Sequence, residues 1–411
     1  MSSQIADVGT TRGIPPVSIS NTSTLVTRTG SWKYVWPVYH DRVAPCNRAC
    51  PVGIDIEAYM NLIRENRVAE ARSVLLAENP MPSVTGRVCH HPCEGACNRG
   101  QFDEAVSIHA VERMLGDLAL DEPVDDAPAQ QRDERVAVVG SGPAGLACAY
   151  HLARFGCHVT VFEAAAQAGG MLRQGIPEYR LPRVVLDREI NRIRSRGVEI
   201  HCGIRVGADL PWQSVLDGFN AVFLAAGAQA SRALGVAGEA QVDVRPGLEF
   251  LRQVNAGARP DVGQRVVVVG GGNPAMDCAR AALRLGAAVT VVYRRTRAEM
   301  PAIKDEVEEA EREGVDLAFL ASPVEFHVVN GRLRAVECER MELGEPDASG
   351  RRRPVATGEH WLLPADTVLT AIGEALDLDA LPRNIARGDS GVRVDALGQT
   401  GDTAMFAGGD V

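Results

Sequence analysis

Short runs of β-branched residues alternate along this chain with longer stretches of helical spacing, and one such alternation occurs twice. The strand-like run Arg135-Val-Ala-Val-Val139 leads through a helix-like stretch at 146–155 to a second strand, His158-Val-Thr-Val-Phe162. The same order returns from Arg265-Val-Val-Val-Val269 through an Ala/Leu/Arg-rich helix to Ala288-Val-Thr-Val-Val292. Two βαβ units in a row predict an α/β protein with two Rossmann-like domains. Paired strands at 323–329 and 333–339 meet at Asn330-Gly331, the pair favoured in a type I′ hairpin turn. The stretch 305–313 is acidic on most faces and reads as a solvated surface helix.

The flanks read differently. Residues 54–63, 68–76 and 106–115 are helical between cysteine-bearing loops, and 121–132 is an acidic, Pro/Ala-rich linker. Residues 1–40 form a polar arm whose aromatics, Trp32 to Tyr39, read either as a disordered tail or as a docking element. Asp366-Thr-Val-Leu-Thr-Ala-Ile-Gly373 and Met405-Phe-Ala-Gly-Gly-Asp410 each read as a strand running into glycine. The expected organisation is an arm (1–40), a small helical domain (41–120), a first nucleotide-binding domain (133–235 with 362–411) and a second inserted within it (240–361).

Both βαβ units carry glycine where a phosphate would lie. Gly140-Ser-Gly142-Pro-Ala-Gly145 follows the first strand, and Gly270-Gly271-Gly272-Asn273-Pro274-Ala275 follows its counterpart. Glycines there permit a tight turn and close pyrophosphate approach, and the helix N-terminus favours the charge. The ends of the second strands differ. Glu163 lies about 20 residues beyond the first cradle, where a carboxylate holds ribose hydroxyls. The second ends in Tyr293-Arg294-Arg295, and guanidinium groups suit an adenosine 2′-phosphate. The first site thus reads as FAD and the second as NADP(H); if Arg294 and Arg295 are only a solvated loop end, NADH remains.

Cysteine is distributed unevenly. Cys46, Cys50, Cys89, Cys93 and Cys97 crowd one short stretch, while the other five are scattered. In a reducing compartment such a cluster points to bound metal, either an iron–sulfur cluster or structural zinc. The 411 residues carry 43 basic and 53 acidic side chains, a net charge of −10 that offers no field for nucleic acid and no polybasic anchor. No apolar run approaches a membrane span and no export signal opens the chain, so a cytoplasmic location is expected.

Taken together, these motifs resemble the small subunit of NADPH-dependent glutamate synthase and the related flavin/iron–sulfur modules of dihydropyrimidine dehydrogenase and the ferredoxin-coupled transhydrogenases. The resemblance runs from about residue 41 to the end. It rests on Cys50-Pro-Val-Gly-Ile-Asp-Ile56, Gly86-Arg-Val-Cys89, Cys93-Glu-Gly-Ala-Cys97, both cradles with Asp277, Gly169-Gly170-Met-Leu-Arg-Gln-Gly175-Ile-Pro177 with Leu181-Pro182, Tyr293-Arg-Arg295, Met300-Pro301 and Ala407-Gly-Gly-Asp410.

It implies FAD along Gly140, Gly142, Pro143, Ala144, Gly145, Glu163, Gly170, Met171, Leu172, Gly175, Ile176 and Pro177, with Ala226, Gly227, Gly373 and Gly409, and with Asp410 meeting the ribityl chain. NAD(P) falls to Gly270, Gly271, Gly272, Asn273, Ala275, Arg294 and Arg295. Relatives hold one cluster at positions matching Cys50, Cys89, Cys93 and Glu112. A second uses those matching Cys46 and Cys97 plus an upstream cysteine pair, and here no cysteine precedes Cys46. One [4Fe–4S] cluster is therefore expected, on Cys50, Cys89 and Cys93 with Cys46, Cys97 or Glu112 as the fourth ligand. His90 and His91 are expected to tune or cover it rather than to ligate it. Relatives also continue past Val411 into a helix that caps the flavin, which leaves either a partner completing the site or an open flavin.

The implied function is that of an electron-transfer subunit. Hydride would pass between nicotinamide C4 and flavin N5, and single electrons between flavin, cluster and a larger catalytic or iron–sulfur partner. The alternatives are the glutamate synthase small subunit itself and, from another class, an assembly subunit with a degenerate site. Intact cradles argue against the latter. A thioredoxin-reductase type of enzyme is set aside, because the nicotinamide half has no Cys-x-x-Cys.

Overall fold

The structure, a computed structural model, describes residues 43–120, 131–240, 243–347, 350–376, 381–382, 385–388, 391–401 and 404–411. The expected arm and most of the expected linker lie outside them. Each predicted βαβ unit forms the centre of a five-stranded parallel sheet. In the first sheet the order is Met405–Ala407, Ala221–Leu224, Arg135–Val139, His158–Glu163, Glu199–Cys202. In the second it is Val244–Pro246, Thr367–Thr370, Arg265–Val269, Ala288–Tyr293, Asp316–Phe319.

Both cradle strands are buried at every position after the first arginine. That is why they read as unbroken apolar runs, since a parallel sheet is covered on both faces. Val138 and Val161 pack under Leu146, Tyr150, Leu186 and Ile190 on one face, while Ala137, Val139 and Leu224 meet Val215, Leu381 and Met405 on the other.

One expected boundary is corrected. The strand Thr367–Thr370 falls within the stretch expected in the first domain, but it pairs in parallel with Arg265–Val269 and Val244–Pro246 in the second sheet. The chain returns to the first sheet only with Met405–Ala407, beside Ala221–Leu224. The hairpin forms as expected, with Asn330 at φ 54° and Gly331 at φ 73° between strands Ala321–Val329 and Arg332–Pro346. A third strand, Arg352–Pro364, extends it.

The N-terminal helices Ile56–Arg64, Val68–Glu78, Pro82–Val88 and Ile108–Leu120 close over Ile54, Tyr59, Leu75 and Leu115. Asp55 caps the first by accepting the Ala58 N–H at 3.1 Å. Helices Pro82–Val88 and Ile108–Leu120 cross so closely that a Cβ on Gly116 would stand 2.4 Å from the Ser83 nitrogen. This layer is bonded to the first sheet's helices: Tyr150 Oη donates to the Leu76 carbonyl (2.7 Å), Arg154 to the Ala77 carbonyl (2.6 Å) and the Ser83 N–H to Glu189 Oε1 (2.8 Å). Burial pushes the Glu189 carboxyl up to about 7.

Candidate dinucleotide and iron–sulfur sites

At the first cradle the strand turns through Gly140, at φ +107°, where a Cβ would meet the Ala225 carbonyl at 2.3 Å. Gly142 then caps helix Pro143–Arg154, with proline at its first turn and its free N–H groups facing the turn. Glu163 ends the neighbouring strand, buried. Its Oε2 accepts the Ser141 N–H (2.9 Å) and hydroxyl, and its Oε1 accepts the Ala165 N–H (2.8 Å). These bonds fix the carboxylate and leave acceptor capacity on both oxygens.

A cavity of about 1120 Å³ opens from this point. Gly140, Gly142, Pro143, Ala144, Glu163, Gly170, Met171, Ala226, Gly227, Gly409 and Asp410 all line it. The other expected FAD residues lie elsewhere. A Cβ on Gly145 would strike the Gly140 carbonyl at 1.9 Å, so this glycine serves helix–strand packing. Leu172 packs in the core under the first sheet, and Pro177 is buried. The Gly373 carbonyl accepts the Arg232 N–H at 3.1 Å. Gly175 and Ile176 line a second cavity.

Sequence reasoning missed Arg252, Gln174 and Gln229, which also line the large cavity. Arg252 comes from helix Gly247–Asn255, beside the second sheet, and donates to Gln174 Oε1 (3.1 Å) and Gln229 Oε1 (2.5 Å). Burial lowers its basicity. Gln174 lies within the Gly169–Pro177 motif, but no motif marks Arg252 or Gln229, because the contact joins residues far apart in the chain.

The second cavity, about 210 Å³, lies between Met171, Gly175 and Ile176 on one side and Asn273, Pro274 and Asp277 on the other. Met171, Ala228 and Asp410 line both cavities, so the two spaces adjoin. Val88, from the helical layer, completes a wall.

The second cradle repeats the first in backbone and differs in what covers it. Gly270 has φ +149°, with a Cβ position 2.2 Å from the Ala371 carbonyl, and helix Asn273–Arg284 begins just after Gly272. Ala275 is fully buried in the second sheet's core. The Tyr293 ring lies against Gly271, where a Cβ would be 2.4 Å away. Asn273 Oδ1 accepts the Ile303 N–H (2.8 Å) and the Gly271 carbonyl accepts the Ala302 N–H (3.1 Å). The expected arginine pair splits. Arg294 is exposed, but Arg295 is buried, paired with Asp347 at 2.6 Å and donating to the Arg352 carbonyl at 2.7 Å.

An ion-pair chain clamps the two halves together beside this cavity. Arg180 follows the flavin-side loop of the first half and reaches Asp277 Oδ2 (2.7 Å) and Glu306 (2.8 Å) in the second. Arg280 joins Glu306 (2.6 Å) to Glu313 (2.7 Å), and the Tyr179 ring lies under Arg280 and Arg284. The acidic helix, observed as Lys304–Glu313, is therefore not merely solvated: Glu306 and Glu313 face inward to arginine, with Val307 and Ala310 buried.

No disulfide joins any of the ten cysteines. Burial first, then Glu94, Cys89 and Cys50, push the Cys93 thiol up to about 12; burial, with Glu112 and Cys50 nearby, also raises Cys89. Cys46 is raised by burial and by Cys97, whereas backbone donors led by Val106 lower Cys97. Cys46, Cys50 and Cys93 pack in the same small core, with Cys89, Glu94 and Glu112 close by.

Buried thiols crowded beside a carboxylate disfavour their own anions unless a cation is present, so this donor set fits a thiolate-bound metal cluster. Glu112 is buried, with Oε1 accepting from Asn79 (2.8 Å) and the Thr85 hydroxyl. His91, at φ 52°, donates its N–H to Cys89 Sγ (3.4 Å) and stacks on His109 at 4.2 Å.

Comparison with known proteins agrees with this architecture. Residues 134–411 match the family model for pyridine nucleotide-disulphide oxidoreductases, and residues 40–124 match that for dihydropyrimidine dehydrogenase domain II, 4Fe-4S cluster. The chain belongs to the pyridine nucleotide-disulphide oxidoreductase family and carries a 4Fe–4S domain ahead of its FAD and NAD(P) module.

Among curated proteins it is 43% identical over 398 residues to the NADP(+)-dependent formate dehydrogenase subunit beta of Moorella thermoacetica, covering 90% of this chain and 56% of that one. It is 36% identical to the glutamate synthase [NADPH] small chain of Escherichia coli K12, over 89% of this chain and 83% of the relative. It spans about half the length of the formate dehydrogenase subunit. The fold of Mycobacterium tuberculosis FprA, solved with NADPH, superposes with a TM-score of 0.59 at 22% identity, covering 68% of this chain and 79% of FprA. Among the described residues, no helix is long and apolar enough to cross a membrane.

Proposed function

We propose that this chain is the FAD-containing electron-transfer subunit of a larger cytoplasmic oxidoreductase, linking NAD(P)(H) to an iron–sulfur cluster and a catalytic partner. The observation that carries the reading is the pair of adjoining cavities, one at each cradle, with Met171, Ala228 and Asp410 common to both. FAD bound along the large cavity would accept two electrons from a reduced nicotinamide and release them singly.

The protein's own part is to hold and to exclude. Glu163 takes the adenosine ribose, and the N-terminus of helix Pro143–Arg154 takes the pyrophosphate. The apolar walls at Met171, Ile176, Leu248 and Leu251 keep water from the junction. Cys50, Cys89, Cys93 and Glu112 are the proposed cluster ligands, Glu112 being preferred as the fourth because its buried carboxylate lies near Cys89 and matches the ligand position of the resembled family.

Arg294 is the proposed contact for a 2′-phosphate, and the names of the relatives favour NADP(H). Their beta and small-chain descriptions favour a larger partner, such as a formate-oxidising subunit. A glutamate synthase partner is the second reading, favoured by the 83% coverage of that small chain. The test is anaerobic purification followed by iron and flavin analysis and titration with NADPH and NADH. Bleaching of the flavin by NADPH at one equivalent is the expected result; a flavin-loaded chain that neither nucleotide reduces would overturn the proposal.

A further inference from the structure

The sheet formed by Ala321–Val329, Arg332–Pro346 and Arg352–Pro364 has two unlike faces. Phe326, Val336, Cys338, Trp361 and Leu363 turn inward and pack with the valines of the second parallel sheet. The alternate positions turn outward and bring Glu325, His327, Glu337, Glu339 and His360 to one patch. None of these five lines either cavity, so neither dinucleotide accounts for them.

Two features of this face call for a cation. The first is charge. Glu325 and Glu337 stand directly opposite in register, and like charges so placed destabilise a sheet. Among the described residues neither carboxylate is paired with an arginine or lysine; Glu337 instead accepts from two imidazoles, His327 Nε2 at 2.7 Å on Oε2 and His360 Nδ1 at 2.8 Å on Oε1. The second is convergence. One ligand atom from each of Glu325, His327 and Glu337 lies within 4.8 Å of the other two. Donor atoms on one tetrahedral zinc ion stand about 3.3 Å apart, as its bond lengths require, so side-chain rotation alone completes the set.

We propose that Glu325, His327 and Glu337 form a binding site for a divalent transition-metal ion of the zinc type on the outer face of the hairpin. His327 ligates through Nε2 once its proton sits on Nδ1. His360 is a positioning residue, which donates to Glu337 Oε1 and orients that carboxylate. The ion cross-links strands Ala321–Val329 and Arg332–Pro346 and offsets the facing charges. An imidazole ligand favours zinc, nickel or copper over magnesium and calcium, which prefer oxygen alone. The site goes beyond the nucleotide function and does not depend on it.

The test titrates zinc into the anaerobically purified full chain and counts equivalents by calorimetry. Zinc taken up by the cysteines is common to wild type and variants, so the difference isolates this site. The wild type should bind one further equivalent than His327→Ala, and should bind magnesium or calcium there about a hundred-fold or more weakly. His360→Ala should keep that equivalent and weaken it about ten-fold, as loss of a supporting hydrogen bond does. Glu325→Gln removes one facing charge, so without metal it should melt at or above the wild-type temperature, while zinc should raise the melting temperature more in the wild type.

A cooperative melt shows that a variant is folded; Glu325→Gln serves for the count where His327→Ala is not. Equal zinc stoichiometry in the wild type and the folded variant overturns the proposal. Magnesium or calcium binding as tightly as zinc also overturns it, by marking an acidic surface without imidazole ligation. Unchanged zinc affinity in His360→Ala overturns the positioning role of that residue.

Discussion

The two glycine cradles are nearly the same backbone put to unlike uses. After the first, a buried glutamate held by two N–H groups borders a cavity of about 1120 Å³; after the second, Tyr293 and the segment 300–303 lean on the glycines, and the 210 Å³ cavity opens instead beside Asn273, Pro274 and Asp277 at the helix start. A large cavity enclosed by residues from many parts of the chain suits a nucleotide that stays. A small one beneath a few side chains suits a nucleotide that visits. The lesson is that two βαβ units can share one backbone turn while the residues packed around each set a very different space beside it.

The contrast can be broken at its strongest point first. In Gly170→Ala the new Cβ would stand 2.6 Å from the Gly142 Cα at a residue with φ +51°. We expect nearly complete loss of bound flavin, read from the flavin-to-protein ratio. Gly271→Ala would press instead on the Tyr293 ring, and should keep flavin while abolishing measurable nucleotide titration. Loss of flavin from both variants would show that the cradles do not act separately.

Next, Cys89→Ser and Glu112→Ala should each lose most of the iron found by chemical analysis, with both nucleotide sites retained, whereas Cys97→Ser should keep it. Equal loss from all three would place Cys97 among the cluster ligands.

The arginine pair gives a finer division. Arg294→Ala should lower the preference for NADPH over NADH by about ten-fold, from loss of a guanidinium contact to phosphate. Arg295→Ala should leave the preference alone and cost about 1–3 kcal/mol in denaturant unfolding, because Asp347 and the Arg352 carbonyl lose their donor.

The smallest effect concerns pH. Hydrogen bonds from Arg284, then Arg280, hold Glu313 down to about 2 against its ordinary 4.5. The stabilisation is present above about pH 4.5 and is lost as pH falls towards 2, when the folded carboxylate is forced to take a proton. Glu313→Gln should therefore flatten the fall in Tm over that window.

What could be read beforehand was whatever is encoded locally. Glycines at 140 and 270, valine runs before them, Glu163 after a strand and Asn330-Gly331 between two strands each act through their immediate neighbours. What escaped depends on partners distant in sequence. The run at 366–373 is apolar whichever sheet receives it, and nothing within it names Arg265–Val269 as its neighbour. Strand Arg352–Pro364 is exposed along most of its length, so no alternation marks it. Arg295 reads as a phosphate ligand in its local sequence, but Asp347, 52 residues on, holds it.

Val88 belongs to the wall of the smaller cavity, and the next residue along the backbone is Cys89. The proposed cluster ligand and a residue of the cavity wall are thus consecutive in one polypeptide. A shift of helix Pro82–Val88 would move Val88 in the cavity wall and Cys89 at the helix end in the same step.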